Sequence, residues 1–99
     1  MAALVRSFRL ALTGSAQPIS SGLLHTQAFA IRNELDNDDV YIGDSTVTAL
    51  TGMFIRQLET NEKSARPTAR GTLMLFDLSI IFVIGTAGQY VRVEYLSDL

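Results

Sequence analysis

Apolar residues in this chain recur at every second position, in short runs that Gly, Pro, Asn and Asp interrupt. The last run is the clearest, since Val91, Val93 and Tyr95 alternate with Arg92 and Glu94. A spacing of two places successive side chains on opposite faces of a β-strand, whereas a helix needs apolar residues three or four apart. No segment keeps a helical spacing over a useful length. The pattern therefore predicts an all-β chain.

Other segments carry the same pattern. We expect strands at 4–12, 26–33, 40–42, 53–58, 73–76, 80–84 and 89–96, with a short extended piece near Pro18. In the first of these, Leu4, Phe8, Leu10 and Leu12 share one face and Arg6 is the exception. In the second, Phe29 and Ile31 are expected to face inward and Arg32 to face out. The segment 85–88, Gly-Thr-Ala-Gly, has two glycines that can adopt positive φ. It is therefore expected to join the last two strands in a hairpin.

About seven or eight short strands separated by turns fit a small antiparallel β-sandwich, of which the jelly roll is one form. A chain of 99 residues fits one domain, here 1–99. Residues 59–70 are charged and carry few apolar side chains, so we expect an exposed loop there. Residues 1–12 form a candidate contact segment. Arg6 and Arg9 interrupt its apolar residues, which argues against a secretory signal, and its alternation argues against a mitochondrial presequence.

The composition indicates a partner chain. Hydrophobic residues make up 47% of the sequence and charged residues 18%, against about 25% charged residues in an average soluble domain. So few charges cannot cover the whole surface of a small protein, and some apolar surface is expected to meet another chain in a homo-oligomer. The net charge of −2 argues against nucleic acid as a partner. The run 80–84 is too short to cross a membrane.

Residues suited to catalysis or metal binding are scarce. The chain has no cysteine and one histidine, His25, which we interpret as an ordinary surface or hydrogen-bonded side chain. Gly43-Asp44-Ser45 lacks the glycine spacing of a nucleophile elbow, and Gly85 to Gly88 is followed by no phosphate-loop lysine. We therefore expect no enzyme, no catalytic residue, no cofactor and no small-molecule substrate.

The acidic residues between 34 and 44 leave two interpretations open. Their oxygens could bind a calcium ion, although the EF-hand pattern fails because Tyr41 stands where glycine is required. Alternatively, they form a solvated turn in which Asp and Asn side chains bond their own backbone. Lys63, Arg66 and Arg70 oppose this segment in sign. They could meet it across a subunit contact or could belong to a solvated loop.

Two blocks of sequence carry a resemblance to a known group of proteins. One reads Ala-Phe-Ala-Ile-Arg-Asn-Glu at 28–34 and continues as Val-Tyr-Ile-Gly-Asp-Ser-Thr-Val at 40–47. The other runs from Asp77 to Leu96 and contains Ile-Ile-Phe-Val-Ile-Gly-Thr-Ala-Gly-Gln-Tyr-Val-Arg-Val-Glu-Tyr. The pair resembles small virion proteins of tailed bacteriophages, mainly over residues 26–55 and 72–96. The stretch 59–70 departs from that group, being longer and charged.

The resemblance implies a structural protein of a phage particle. We expect a capsid decoration, or cement, protein on the outer face of the shell, bound to the major capsid protein as a trimer. Leu4, Phe8, Lys63, Arg66 and Arg70 are the candidate contact residues. A neck, tail-adaptor, baseplate or head-fibre component is the alternative within the particle. A small carbohydrate-binding β-sandwich is the alternative outside it.

Overall fold

The structure, a computed structural model, describes residues 3–64 and 75–98, and all of its regular elements are strands. The strands are β1 (Ala3–Ala11), β2 (Gln17–Pro18), β3 (His25–Thr26), β4 (Ala28–Asn33), β5 (Val40–Gly43), β6 (Met53–Ile55), β7 (Thr60–Ser64), β8 (Phe76–Asp77), β9 (Phe82–Ile84) and β10 (Tyr90–Asp98). Every pairing between them is antiparallel. The described part of the chain contains no helix long and apolar enough to cross a membrane.

Eight of the strands form two four-stranded sheets, and β3 and β8 form a separate ribbon. The first sheet has the order β1-β10-β4-β7, and the second has the order β2-β9-β5-β6. If the ribbon is set aside and the other strands are counted along the chain, these orders are 1-8-3-6 and 2-7-4-5. That arrangement is the jelly roll, in which two Greek keys wrap into a sandwich. The predicted all-β sandwich is confirmed.

The core lies between the inner faces of the two sheets. In β4 the burial alternates as predicted, with Phe29 and Ile31 inside and Arg32 exposed. The buried apolar residues that form this core are Leu12, Ile19, Phe29, Ile31, Val40, Ile55, Leu78, Val83, Val91 and Val93. Most of them are β-branched or aromatic, the residue types that pack best on a pleated surface. Because they come from strands of both sheets, neither sheet has its inner face covered without the other.

One polar side chain is fully enclosed at the end of β4. Asn33 has no exposed surface, and its Nδ2 donates to the backbone carbonyls of Asp38 and Ile55 at 2.9 and 2.8 Å. Its Oδ1 accepts from Asn37 Nδ2 at 2.9 Å, and its backbone carbonyl accepts from the amide of Leu58 at 2.7 Å. Asn33 therefore holds the β4–β5 and β6–β7 connections against each other by hydrogen bonds. Both connections run between the two sheets at the same end of the sandwich.

The predicted hairpin at residues 80–96 is wrong. β9 lies in the second sheet between β2 and β5, whereas β10 lies in the first sheet between β1 and β4. The turn at 85–88 crosses between the sheets, and only Gly88 has the expected positive φ, at 85°. Gly85 serves packing instead, since a Cβ there would lie 2.6 Å from Leu12 Cδ1. A hairpin and a crossing connection both need a tight glycine turn, so the local sequence does not distinguish them.

The predicted exposed loop at 59–70 is wrong for its first half. Thr60–Ser64 form β7, which pairs with β4 at the edge of the first sheet, and residues 65–70 lie outside the described residues. The charged side chains that suggested a loop are those that an edge strand tolerates, because one side of its backbone is free for solvent. The preceding strand is also shorter than expected. It ends at Ile55, and Leu58 has a φ of 63° in the turn that follows.

Three exposed or partly exposed carboxylates are held in the ionised form by hydrogen bonds. The pKa of Glu34 is lowered mainly by Arg9, which donates to both of its oxygens at 2.9 and 2.7 Å. The hydroxyl and amide of Thr46 lower the pKa of Asp44, and those of Ser79 lower the pKa of Asp77. Each of these bonds favours the charged form of the carboxyl.

We therefore expect stability to fall in acid. A lowered folded-state pKa means that the unfolded chain binds more protons than the folded chain once the pH drops towards the ordinary carboxyl pKa of about 4. This contribution is complete at neutral pH and is lost as the pH falls through the folded-state values. Melting temperatures measured across this range should decline, and the double variant Asp44→Asn with Asp77→Asn should decline less. If the melting temperatures of the two proteins fall equally with pH, Asp44 and Asp77 do not cause the loss of stability in acid.

Candidate interaction surface

The outer face of the first sheet is charged. The strand register places Arg9, Arg92 and Arg32 side by side on β1, β10 and β4. The row beside them holds Glu94 next to Ala30, with Glu62 beyond it on β7. Arg9 is bound by Glu34, and its guanidinium lies 4.3 Å from the centre of the Tyr90 ring. Charges of both signs alternate here, as on an ordinary solvent-facing sheet.

The outer face of the second sheet is different, because the side chains on it are apolar from one edge strand to the other. The chain covers this face in part at two places: buried Val47 lies over Gly43, where a Cβ would be 2.8 Å from Val47 Cγ2, and the Arg56 guanidinium lies 5.3 Å from the centre of the Phe54 ring. The strand register of this sheet aligns Ile84, Tyr41 and Phe54 in one row and Pro18, Phe82 and Gly43 in the next. The opposite face of the same strands carries the buried core residues Val40, Ile55 and Val83. We call the surface formed by Pro18, Tyr41, Phe54, Phe82 and Ile84 the apolar face; none of its side chains carries a charge at neutral pH.

Solvent reaches the apolar face. Phe54 is 51% exposed, and the other four members are partly exposed. Ile80, which precedes β9, is 66% exposed. Strands that are apolar on both faces are typical of sheets covered on both sides, whereas an antiparallel sheet with one face in water normally alternates. A contiguous exposed apolar patch usually marks a contact with another molecule. The second sheet therefore has the residue pattern of a sheet that a partner covers.

Three of the contact residues predicted from the sequence, Leu4, Phe8 and Lys63, are described by the structure and lie away from this face. Leu4 and Phe8 are on the inward side of β1; Leu4 is 38% exposed, and the Phe8 ring meets Tyr95 edge-on with centroids 6.2 Å apart. Lys63 lies on β7 opposite Phe29, with its Nζ 4.0 Å from Met53 Sδ. Arg66 and Arg70 lie outside the described residues, so the predicted basic cluster stays a prediction.

The apolar face was not predicted from the sequence, although a signal for it was present. The run Ile80 to Ile84 has five successive apolar residues and no alternation. In a two-layer sandwich such a run indicates a strand whose outer face is also covered. Tyr41 and Phe54 could not be added to it from sequence. Their position beside Ile84 depends on pairings between β5, β6 and β9 that the local pattern does not encode.

The residues considered for catalysis or metal binding have structural contacts. His25 is exposed, and its Nε2 lies 3.6 Å from Asp77 Oδ2. Asp38 accepts from the Thr86 hydroxyl at 2.8 Å, and Asp44 accepts from Thr46 as described above. Within residues 3–64 and 75–98, no three His, Asp or Glu side chains converge as a metal site would require. Within the acidic segment, Asp44 thus bonds within its own turn, whereas Glu34 and Asp38 bond to distant residues on other parts of the chain.

Comparisons with protein-family models, with curated proteins and with solved structures found no match to this chain. The apolar face and the jelly-roll topology are therefore the observations on which a functional proposal rests, beside the two sequence blocks.

Proposed function

We propose that this protein is a structural component of a tailed-phage particle, and that it binds the outer surface of the capsid shell as a decoration protein. The observation that carries the proposal is the apolar face, an uncharged outer sheet surface that needs a partner. The two sequence blocks that resemble phage virion proteins support it further. They include β4 and β5 in one block and β9 and β10 in the other, so each block contributes to both sheets.

The physical role is reinforcement by contact. A shell filled with DNA is under outward pressure, and a small protein that bridges neighbouring capsid subunits resists their separation. A closed symmetric shell repeats the same binding site many times, so weak individual contacts act together. The partner would be the major capsid protein, with an apolar surface complementary to Tyr41, Phe82 and Ile84. Burial of their side chains would supply about 25 cal/mol for each Å² removed from water.

Two alternatives make different demands on the same surface. A neck, tail-adaptor, baseplate or head-fibre protein could use the apolar face equally well, so only its copy number separates it from a decoration protein. A carbohydrate-binding sandwich would need several hydrogen-bonding side chains around its aromatic rings. The apolar face has one hydroxyl, that of Tyr41, and is therefore poorly suited to sugars.

The test is quantitative mass spectrometry of purified particles from the phage that encodes the chain. On the order of hundreds of copies per particle would support decoration, because a shell repeats its sites by symmetry. About a dozen copies or fewer would place the protein in the neck or tail, where symmetry axes are few, and would overturn the decoration role. Absence from intact particles would overturn the virion proposal as a whole.

A further inference from the structure

The four edge strands of the sandwich differ in how well they are protected against pairing with another chain. In the second sheet, β2 has two residues and includes Pro18, and β6 has three residues. In the first sheet, β7 has five residues and carries Glu62 and Lys63. Short length, proline and charge are the usual devices that block edge pairing. β1 has nine residues, with no proline and no glycine, and pairs only with β10 among the described strands. Its protection is limited to Arg6 and Arg9 and, at one end, to Gln17, whose Nε2 donates to the Ala11 carbonyl at 2.9 Å.

The inward side of β1 is also incompletely covered. Because β2 is so short, the second sheet does not reach under the full length of β1. Phe8 and Leu10 are only half-buried, although both face the interior side. Beneath them runs a groove of about 530 Å³ that is also lined by Pro18, Leu24 and Tyr95. A free strand edge and an uncovered apolar side therefore occur together, along the same strand.

The charges on β1 limit how a second copy could pair with it. In an antiparallel pair about a two-fold axis perpendicular to the sheet, residues of the same face stand opposite each other. Centring the axis on Arg6 or Arg9 would bring two like charges together, which is destabilising. An axis centred on Ser7 aligns all nine residues of β1 with those of the other copy. In that register Arg6 stands opposite Phe8 and Arg9 opposite Val5, so no two arginines are opposed. Arg6 could then lie against an aromatic ring, a favourable contact for a guanidinium.

We propose that two copies of this chain pair antiparallel through β1, with the two-fold axis at Ser7. The pairing joins the two first sheets into one continuous eight-stranded sheet. It also sets Leu4 of each copy opposite Leu10 of the other, over the groove. A two-fold contact produces dimers, in place of the trimer expected from the sequence. The apolar face stays free for another partner, and the dimer does not depend on whether the protein belongs to a particle.

The test compares disulfide formation in two variants that each carry one introduced cysteine. The chain has no cysteine, so a single introduced thiol can form a disulfide only between copies. Ser7 of each copy would lie opposite Ser7 of the other, at a Cα separation of about 4.5–5.5 Å that suits a disulfide. The matched control is Val5→Cys, which is on the same strand and face and is also exposed. Two such thiols would stand four residues apart, about 13 Å along the strands.

We expect Ser7→Cys to form a disulfide-linked dimer at least about tenfold faster than Val5→Cys under mild oxidation, because pairing raises the effective concentration of the opposed thiols. The difference should vanish in urea. Equal rates in the folded proteins would overturn the proposed register. In sedimentation equilibrium the unmodified protein should be a dimer, and a monomer or a trimer would overturn the pairing. Val5→Lys would place a second positive charge opposite Arg9 of the other copy and should weaken the dimer, whereas Val5→Glu should not. A dimer weakened by Val5→Glu and not by Val5→Lys would also contradict the proposed register.

Discussion

Replacing Asn33 with leucine is expected to lower the free energy of unfolding by about 3 kcal/mol. The side chain is fully buried, and its amide group donates to the carbonyls of Asp38 and Ile55. Leucine has nearly the same shape but cannot donate, so it leaves the buried Ile55 carbonyl and the partly buried Asp38 carbonyl each with one partner fewer. Each polar group left without its hydrogen bond costs about 1–3 kcal/mol. In a domain of this size the melting temperature should fall by roughly 15 °C.

Asn61→Leu is the matched control, with the same substitution at another inward-facing Asn of the first sheet. Asn61 Nδ2 lies 3.0 Å from Met53 Sδ, a weak acceptor, and its buried Oδ1 has no hydrogen-bond partner among the described residues. Removing a buried polar atom that lacks a partner should be neutral or stabilising, by about 1 kcal/mol at most. Urea denaturation of the two variants beside the parent measures both effects. Similar losses would show that Asn33 does not have the structural role assigned to it.

Under the proposed decoration role, placing a carboxylate on the apolar face is expected to weaken binding to the phage particle strongly. Phe82 is in β9, next to Pro18 on one side and Gly43 on the other. An aspartate there would have to lose its water on contact with an apolar partner, without a cation to pair with. Central positions of an interface typically contribute 2 kcal/mol or more, so occupancy at limiting concentration should fall by about 30-fold or more. Cosedimentation of added protein with particles that lack it measures the loss.

Thr60→Asp provides the control for this experiment. Thr60 is exposed on β7 and lies opposite Arg32, on the charged outer face of the first sheet. The Thr60→Asp substitution adds the same charge on the other side of the molecule and should leave binding to the particle unchanged. Phe54→Asp is a second test at a side chain that is 51% exposed, where folding is least affected. If Phe82→Asp and Phe54→Asp both fold and bind like the parent, the apolar face is not the contact surface.

Much of the local structure was predictable because it depends on which side of a strand each residue occupies. The alternation at Phe29 and Ile31, and at Val91 and Val93, correctly identified buried positions, since the period of two is a property of the extended backbone itself. The first strand was also predicted almost to the residue. Its inward residues become more buried from Leu4 to Leu12, as expected for a strand that begins near the rim of the sandwich.

The prediction failed where structure depends on the partner of a strand. A glycine turn at 85–88 suggested a hairpin, but the turn crosses between sheets, because β9 pairs within the second sheet and β10 within the first. The charged segment at 60–64 suggested a loop, but its backbone pairs with β4. In both cases the local composition correctly indicated exposed residues and carried no information on strand pairing.

The sequence by itself determined that the chain is all-β, which residues of most strands point inward, and that too few charges were present to cover its surface. Only the tertiary structure decided the jelly-roll order, the placement of Tyr41, Phe54, Phe82 and Ile84 on one outer face, and the position of β1 as the longest edge strand among the described residues. The physical reason is the range of the interactions. Side-chain alternation depends only on neighbouring residues. The pairing of β1 with β10 joins residues from opposite ends of the chain, and the pairing of β5 with β9 joins residues about forty positions apart. A surface made from several strands exists only after such pairings have formed.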